Sequence, residues 1–335
     1  MNRENSILFL GDVVPYKAFK FDNNYKIVFN LECPITAKGK PVTGKINLKV
    51  SKNYLKNIFG DNMLCACISN NHILDYGNEG LESTLSELKR IKLSSFGLND
   101  GDENTCTPLL IDFNDMKIAF FAVVCPTTSP VTQIDNKVYL NLLNTDAIIN
   151  SIKKIKASVQ KVVLFIHWGE EESSYPIKKD ILIARKLINA GADIIIGSHA
   201  HAPQSIEKYN NGIIAYNLGN FVMPAMKKMP SYFDKSGIPL SSFTKKIMLW
   251  NRISWGVVID IKNLEYKIKK FIFIFNRIIE LPFTPFDKYI RMNKRVFDSR
   301  YEQIFKNHLK KRALYRKLIF FVTNPYMPQR IKKFL

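Results

Sequence analysis

Short apolar runs alternate along this chain with stretches whose apolar residues recur every three or four positions. The runs fit buried strands and the recurrences fit amphipathic helices, so their alternation predicts an α/β architecture. Residues 7–12 (ILFLGD) and 27–32 (IVFNLE) read as strands, the first closing on a Gly-Asp turn and the second stopped by Pro34. MLCACISNN, from Met63, is a third. Residues 51–59 read as a short helix with Ser51 as its N-cap. Residues 78–91 form a longer one, with Leu81, Leu85, Leu88 and Ile91 on one face. Strands are expected at 109–113, 117–125, 161–167, 192–201, 212–216 and 218–222. Helices are expected at 147–155 and 176–190, the second opened by Pro176. Residues 255–261 and 266–275 read as a hairpin around KNLE, and 223–249 as irregular. The segment after Pro285 reads as largely helical, which predicts a body over residues 1–285 and a tail over 286–335.

Composition adds constraints. Of 335 residues, 46% are hydrophobic and 23% charged, which is ordinary for a folded protein and excludes wholesale disorder. No apolar run nears the roughly 18 residues of a membrane span. The longest is eight, Ile118 to Cys125. The first apolar stretch, Ile7 to Leu10, is too short for a signal peptide, so a soluble cytoplasmic chain is expected. Five cysteines without a CxxC pair argue against a disulfide framework or zinc ribbon. The period-two spacing of Cys65 and Cys67 suits one buried face of a strand.

The net charge is +20, and residues 288–335 alone hold 14 basic and 2 acidic residues. Phe297, Tyr301, Ile304, Phe305 and Leu309 share one helical face, with Lys306, Lys310, Lys311 and Arg312 elsewhere. That pattern suits peripheral contact with an anionic membrane surface or a membrane synthase, and equally a helix packed on the body with a solvated basic face. No RNP, KH or helix-turn-helix signature accompanies the charge, so nucleic acid is not the expected partner.

The candidate chemistry collects at strand ends. His72, His167, His199 and His201 fall there, with Asp12, Glu32 and Asn71. In open α/β sheets that edge is where ligands bind. Singly, each residue has a plain structural explanation: a turn cap for either carboxylate, a loop cap for Asn71, a backbone hydrogen bond for His167. On an extended segment His199 and His201 would point the same way, with Gly197 leaving room for the turn. Together, Asp12 and Glu32 would supply negative charge to a divalent cation, Asn71 an oxygen ligand, and His72 a proton to substrate.

In chain order, LGDVV, NLECPIT, SNNHILDYG, FIHWGEE, GADIIIGSHAHAPQSIE and IAYNLGNFV resemble the CapA family of capsule and poly-γ-glutamate biosynthesis proteins. That family is itself similar to the calcineurin-like metallophosphoesterases. The motifs run from Leu10 to Val222, about two thirds of the chain. The resemblance implies a metallophosphoesterase-like four-layer sandwich, two β-sheets flanked by helices, to which the sequence adds a basic helical C-terminal extension. It implies Asp12 and His201 as ligands of a first metal and Glu32 as the bridging carboxylate. Asn71, His167 and His199 become ligands of a second metal, and His72 the proton donor. Asn220, in the Gly219-Asn220-Phe221 motif, and Glu171 are secondary candidates. There are departures: Val14 stands where metallophosphoesterases have a histidine, and Ser198 and Ala200 where many CapA relatives have His and Pro.

The expected cofactor is one or two divalent ions, Mn, Fe or Zn. The expected partner is an anionic polymer or phosphorylated precursor; Lys17, Lys178 and Lys179 near the rim read first as solvated surface charge and second as groups that steer it. Two functions follow. One is a metal-dependent hydrolase, of a phosphoester, in capsule, poly-γ-glutamate or exopolysaccharide biosynthesis. The other is a non-catalytic accessory subunit of a membrane-associated synthesis or export complex with a degenerate metal site, which Val14 favours.

Overall fold

The computed structural model describes residues 2–99, 106–129, 133–134, 138–233, 238–245, 247–290 and 301–323. The chain divides into two compact units, Met1–Arg291 and Met292–Leu335. The first unit opens with β1 (Ser6–Val13), β2 (Lys26–Leu31), α1 (Leu55–Phe59), β3 (Met63–Cys67), α2 (Gly77–Arg90) and β4 (Ser94–Phe96). Next come β5 (Leu98–Asn99), β6 (Leu109–Phe113), β7 (Met116–Val124), β8 (Gln133–Ile134) and β9 (Val138–Leu140). Then follow α3 (Thr145–Lys156), β10 (Lys161–Trp168), α4 (Lys178–Asn189), β11 (Ile194–His199), β12 (Ile206–Tyr209) and β13 (Gly212–Ala215). The unit ends with β14 (Asn220–Val222), β15 (Met226–Phe233), β16 (Pro239–Lys245), β17 (Ile253–Asp260), β18 (Tyr266–Ile274) and β19 (Arg277–Leu281).

Among the described residues, one large sheet runs β19-β18-β17-β1-β2-β3-β4, with β14 beside β1, and the other runs β12-β13-β11-β10-β7-β6. Strands β1 to β4 are parallel, as are β7, β10, β11 and β13. Alternation along β1 explains the layering. Ile7 and Phe9 face the second sheet and join Phe120, Val163, Phe165 and Ile196 in one core. Leu8 and Leu10 face the other way, where α1 and α2 bring Leu55, Ile58, Leu81 and Leu88. Beyond the second sheet, α3 and α4 lie against β10 and β11 and bury Ile148, Ile152, Ile181 and Leu187. The result is helix, sheet, sheet, helix. Cys65 and Cys67 are both buried in the inter-sheet core.

Some expectations need correction. Helix α1 starts at Leu55 rather than after Ser51, with Tyr54 at its N-cap and the Leu55 N–H donating to Asn53 Oδ1 at 3.0 Å. Helix α4 begins two residues after Pro176. The segment expected to be irregular holds the β15–β16 pair, which carries Pro230 and Pro239, residues a central strand would exclude. Gly197 lies inside β11 rather than at a turn, and a Cβ there would collide with the Tyr216 carbonyl oxygen.

Close approach also sets the edge that carries the candidate residues. A Cβ on Gly11 would collide with the Gly219 carbonyl oxygen, which accepts from the Asp12 N–H at 3.0 Å. Strand β14 can therefore run alongside the end of β1, with Asn220 paired to Asp12.

The second unit contains α5 (Tyr301–Thr323). On it Lys306, Lys310 and Lys311 are exposed, while Ile304, Phe305 and Leu309 are half-buried. Phe297 and the terminal RIKKFL lie outside the described residues. No helix among the described residues is long and apolar enough to cross a membrane.

Candidate metal centre

The parallel strands of both sheets deliver their C-terminal ends to one edge. Asp12 comes from the end of β1, Glu32 from the residue after β2, and His167 and His199 from the ends of β10 and β11. Asn71 and His72 lie in the loop after β3, and His201 in the loop after β11. Asp12 and Glu32 are fully buried. Asp12, Glu32 and His167 each offer a ligand atom, all within 4.8 Å of one another.

Two groupings are visible. In the first, His167 Nε2 lies 2.9 Å from Asn71 Oδ1 and 3.9 Å from Glu32 Oε1. In the second, His201 Nδ1 lies 3.1 Å from Asp12 Oδ2 and 2.8 Å from Asn220 Oδ1. The His167 and His199 rings have centroids 4.8 Å apart, and those of His199 and His201 are 6.0 Å apart. The last two do not converge by strand alternation. His199 has φ +90° and His201 φ +54°, so the chain coils in the left-handed region, an uncommon conformation that clusters at functional sites.

Asn30 connects the two groupings. Its Nδ2 donates to Asp12 Oδ1 at 2.9 Å and Glu32 Oε2 at 2.5 Å, and its Oδ1 accepts from Asn70 Nδ2 at 3.1 Å. Asn70 Oδ1 in turn accepts the backbone N–H groups of His72 and Ile73, both at 3.0 Å. Neither asparagine stands out among the candidate residues of the sequence. Asn30 had a signal: it lies two residues before Glu32, hence on the same side of a buried strand. Ser198, one of the departures, contributes here, since its Oγ lies 2.9 Å from His167 Nδ1. Val14 is buried in the apolar cluster outside the first sheet and adds no ligand.

His72 is held through its Nδ1, 2.6 Å from Asp75 Oδ2. Asp75 is fully buried, accepts from the Leu48 N–H at 2.6 Å and pairs with Lys45, whose Nζ also donates to the Asn71 carbonyl. Glu171 is exposed, as are Lys17, Lys178 and Lys179.

The electrostatics follow from burial. Burial pushes the Glu32 carboxyl well above its ordinary range, with the Asp12 charge adding to the effect and the Asn30 hydrogen bond opposing it. Burial likewise holds His167 well below its usual value, followed by the neighbouring His199, His201, His72 and Lys45. His199 is brought down to about 4 by burial and then by His201, against the pull of Glu171 and Asp12. Neutral imidazoles are the form that binds a cation, whereas Glu32 would release its proton on binding one. Glu32 Oε1 and His199 Nδ1 are buried without a hydrogen-bond partner. Unpaired buried polar atoms are costly, and a cation would satisfy both, so the residues present fit a divalent metal.

Residues 12–225 match the family model described as bacterial capsule synthesis protein PGA_cap. A capsule biosynthesis protein CapA from Bacillus anthracis is 27% identical over 230 residues, covering 66% of this chain and 55% of that protein. A PGA biosynthesis protein CapA from Bacillus subtilis is 31% identical over 206 residues, covering 58% of this chain and 52% of that protein. The chain thus spans about half the length of the curated relatives it matches. Among solved structures, a 5′-nucleotidase from Candida albicans aligns with a TM-score of 0.43 at 8% identity, covering 91% of this chain and 56% of that one.

Proposed function

This chain belongs to the bacterial capsule synthesis family PGA_cap, and from that membership we propose that it is a metal-dependent phosphoester hydrolase acting in capsule or poly-γ-glutamate biosynthesis. The observation that carries the reading is the pair of buried, unpartnered donor atoms, Glu32 Oε1 and His199 Nδ1, within a cluster of carboxylates and neutral imidazoles. Such mixed oxygen and nitrogen donors suit Mn, Fe or Zn. Asp12, Glu32, Asn71, His167, His199 and His201 would hold one or two such ions. A bound divalent cation supplies Lewis-acid charge that neutralises the oxygens of a phosphoryl group.

The chain's own residues do the rest. Asn30 fixes both carboxylates, and Ser198 orients His167. Asp75 occupies Nδ1 of His72, which leaves Nε2 as the nitrogen that gives a proton to the leaving oxygen. The test is hydrolysis of p-nitrophenyl phosphate and its diester by protein loaded with Mn, Fe or Zn. Turnover should require added metal. His72→Ala should lower kcat by about 10²- to 10⁴-fold, the usual size of a general-acid contribution, with metal content unchanged. Metal-loaded protein without turnover on any phosphoester would instead favour the accessory-subunit reading, which the apolar Val14 supports.

The basic helix α5 is the proposed contact with an anionic membrane surface, supported by its exposed Lys306, Lys310 and Lys311. The full chain should cosediment with anionic vesicles and lose that binding in high salt. Equal cosedimentation after deletion of residues 292–335 would contradict it.

A further inference from the structure

Asn220 is buried to 2% exposure, and its orientation is fixed from behind. Its Nδ2 donates to the Asn251 carbonyl at 3.0 Å, so its Oδ1 must face the centre. There it lies 2.8 Å from His201 Nδ1, which is also 3.1 Å from Asp12 Oδ2. The Asn251 side chain closes the loop by donating to the His201 carbonyl at 3.3 Å. His201 Nδ1 thus faces two oxygens, Asp12 Oδ2 and Asn220 Oδ1, at once. Two donors bound to a cation at about 2.1 Å and at right angles lie about 3 Å apart, which matches both separations.

We infer that Asn220 is a metal ligand, its Oδ1 forming with Asp12 Oδ2 and His201 Nδ1 one side of a divalent-cation subsite. The second observation is independent of this trio: Glu32 Oε1 and His199 Nδ1 are buried and unpartnered in the same cluster. The pairing of Asn220 with Asp12 across β14 and β1 brings the amide to the carboxylate, and the close contact at Gly11 permits that pairing. The inference rests on the metal-centre reading above and names a ligand within it.

The test is Mn(II) binding to the full chain by calorimetry, comparing wild type with Asn220→Leu, Asn220→Ser and Asn220→Asp. Leu and Ser should each weaken Mn(II) binding at least tenfold, about the lower end of the range seen when groups supporting a metal site are removed. Asp should bind within a few-fold of wild type. Asp keeps an oxygen ligand but loses the donor to Asn251, so a merely structural asparagine would not be rescued by it. Ser serves where Leu fails to fold, as judged by the melting temperature of the metal-free protein. Wild-type affinity in the Leu or Ser variant, or equal weakening in Ser and Asp, would overturn the inference while leaving the metal centre standing. No Mn(II) binding by wild type would remove both.

Discussion

Asp75→Ala is expected to lower the stability of the metal-free protein by about 3–5 kcal/mol, the cost of breaking a buried ion pair from one side. Asp75 is fully buried, and the Lys45 side chain beside it is only 12% exposed. Alanine would strand that ammonium and leave the Leu48 N–H, now bonded at 2.6 Å, without its acceptor. It would also release His72 from its 2.6 Å contact. Asp75→Asn keeps the shape and an acceptor for Leu48, so its loss should be smaller, about 1–3 kcal/mol. Urea unfolding of the metal-free variants measures both. A loss below about 1 kcal/mol in the alanine variant would mean that Lys45 swings into water and the network does not hold this loop.

Glu32→Gln should act in the opposite direction on stability and remove the metal. The folded-state pKa of Glu32 lies well above its ordinary 4.5. A group raised in this way contributes stability that is complete below the unfolded value and is lost as pH rises through the folded one. Metal-free wild type should therefore lose stability above pH 4.5, and the Gln variant should lack that loss. His167 and His199 have the other sign. Both are depressed from 6.5, so their contribution is complete above that pH and is lost as pH falls, for His199 down to about 4. Acid destabilisation of both proteins should thus begin below 6.5. Metal binding requires the Glu32 carboxylate, so it should release a proton and strengthen with pH in wild type. Calorimetry in two buffers of different ionisation enthalpy reads that proton, and its absence would contradict a protonated Glu32 in the metal-free protein.

The core strands were legible because a strand buried on both faces reads as a short apolar run, as in residues 7–10 of β1 and in 118–125. The acids and histidines were legible through their order along the chain. Their support was not. Asn30 meets Asn70 across 40 residues, and Asn220 meets Asn251 across 31, contacts that depend on how the strands come together. Asn has no periodicity that marks a ligand or a brace. The left-handed backbone at His199 and His201 is likewise invisible in HAH, which reads as extended. The short strands β12 and β19 escaped notice because four or five residues carry little pattern.

The most direct test of the metal centre is elemental analysis of protein purified without chelator, with wild type beside Glu32→Gln and His201→Ala. Near-stoichiometric Mn, Fe or Zn is expected in wild type and its loss in both variants, with all three proteins folded. Metal-free wild type that also takes up no ion on reconstitution with Mn, Fe or Zn would contradict it.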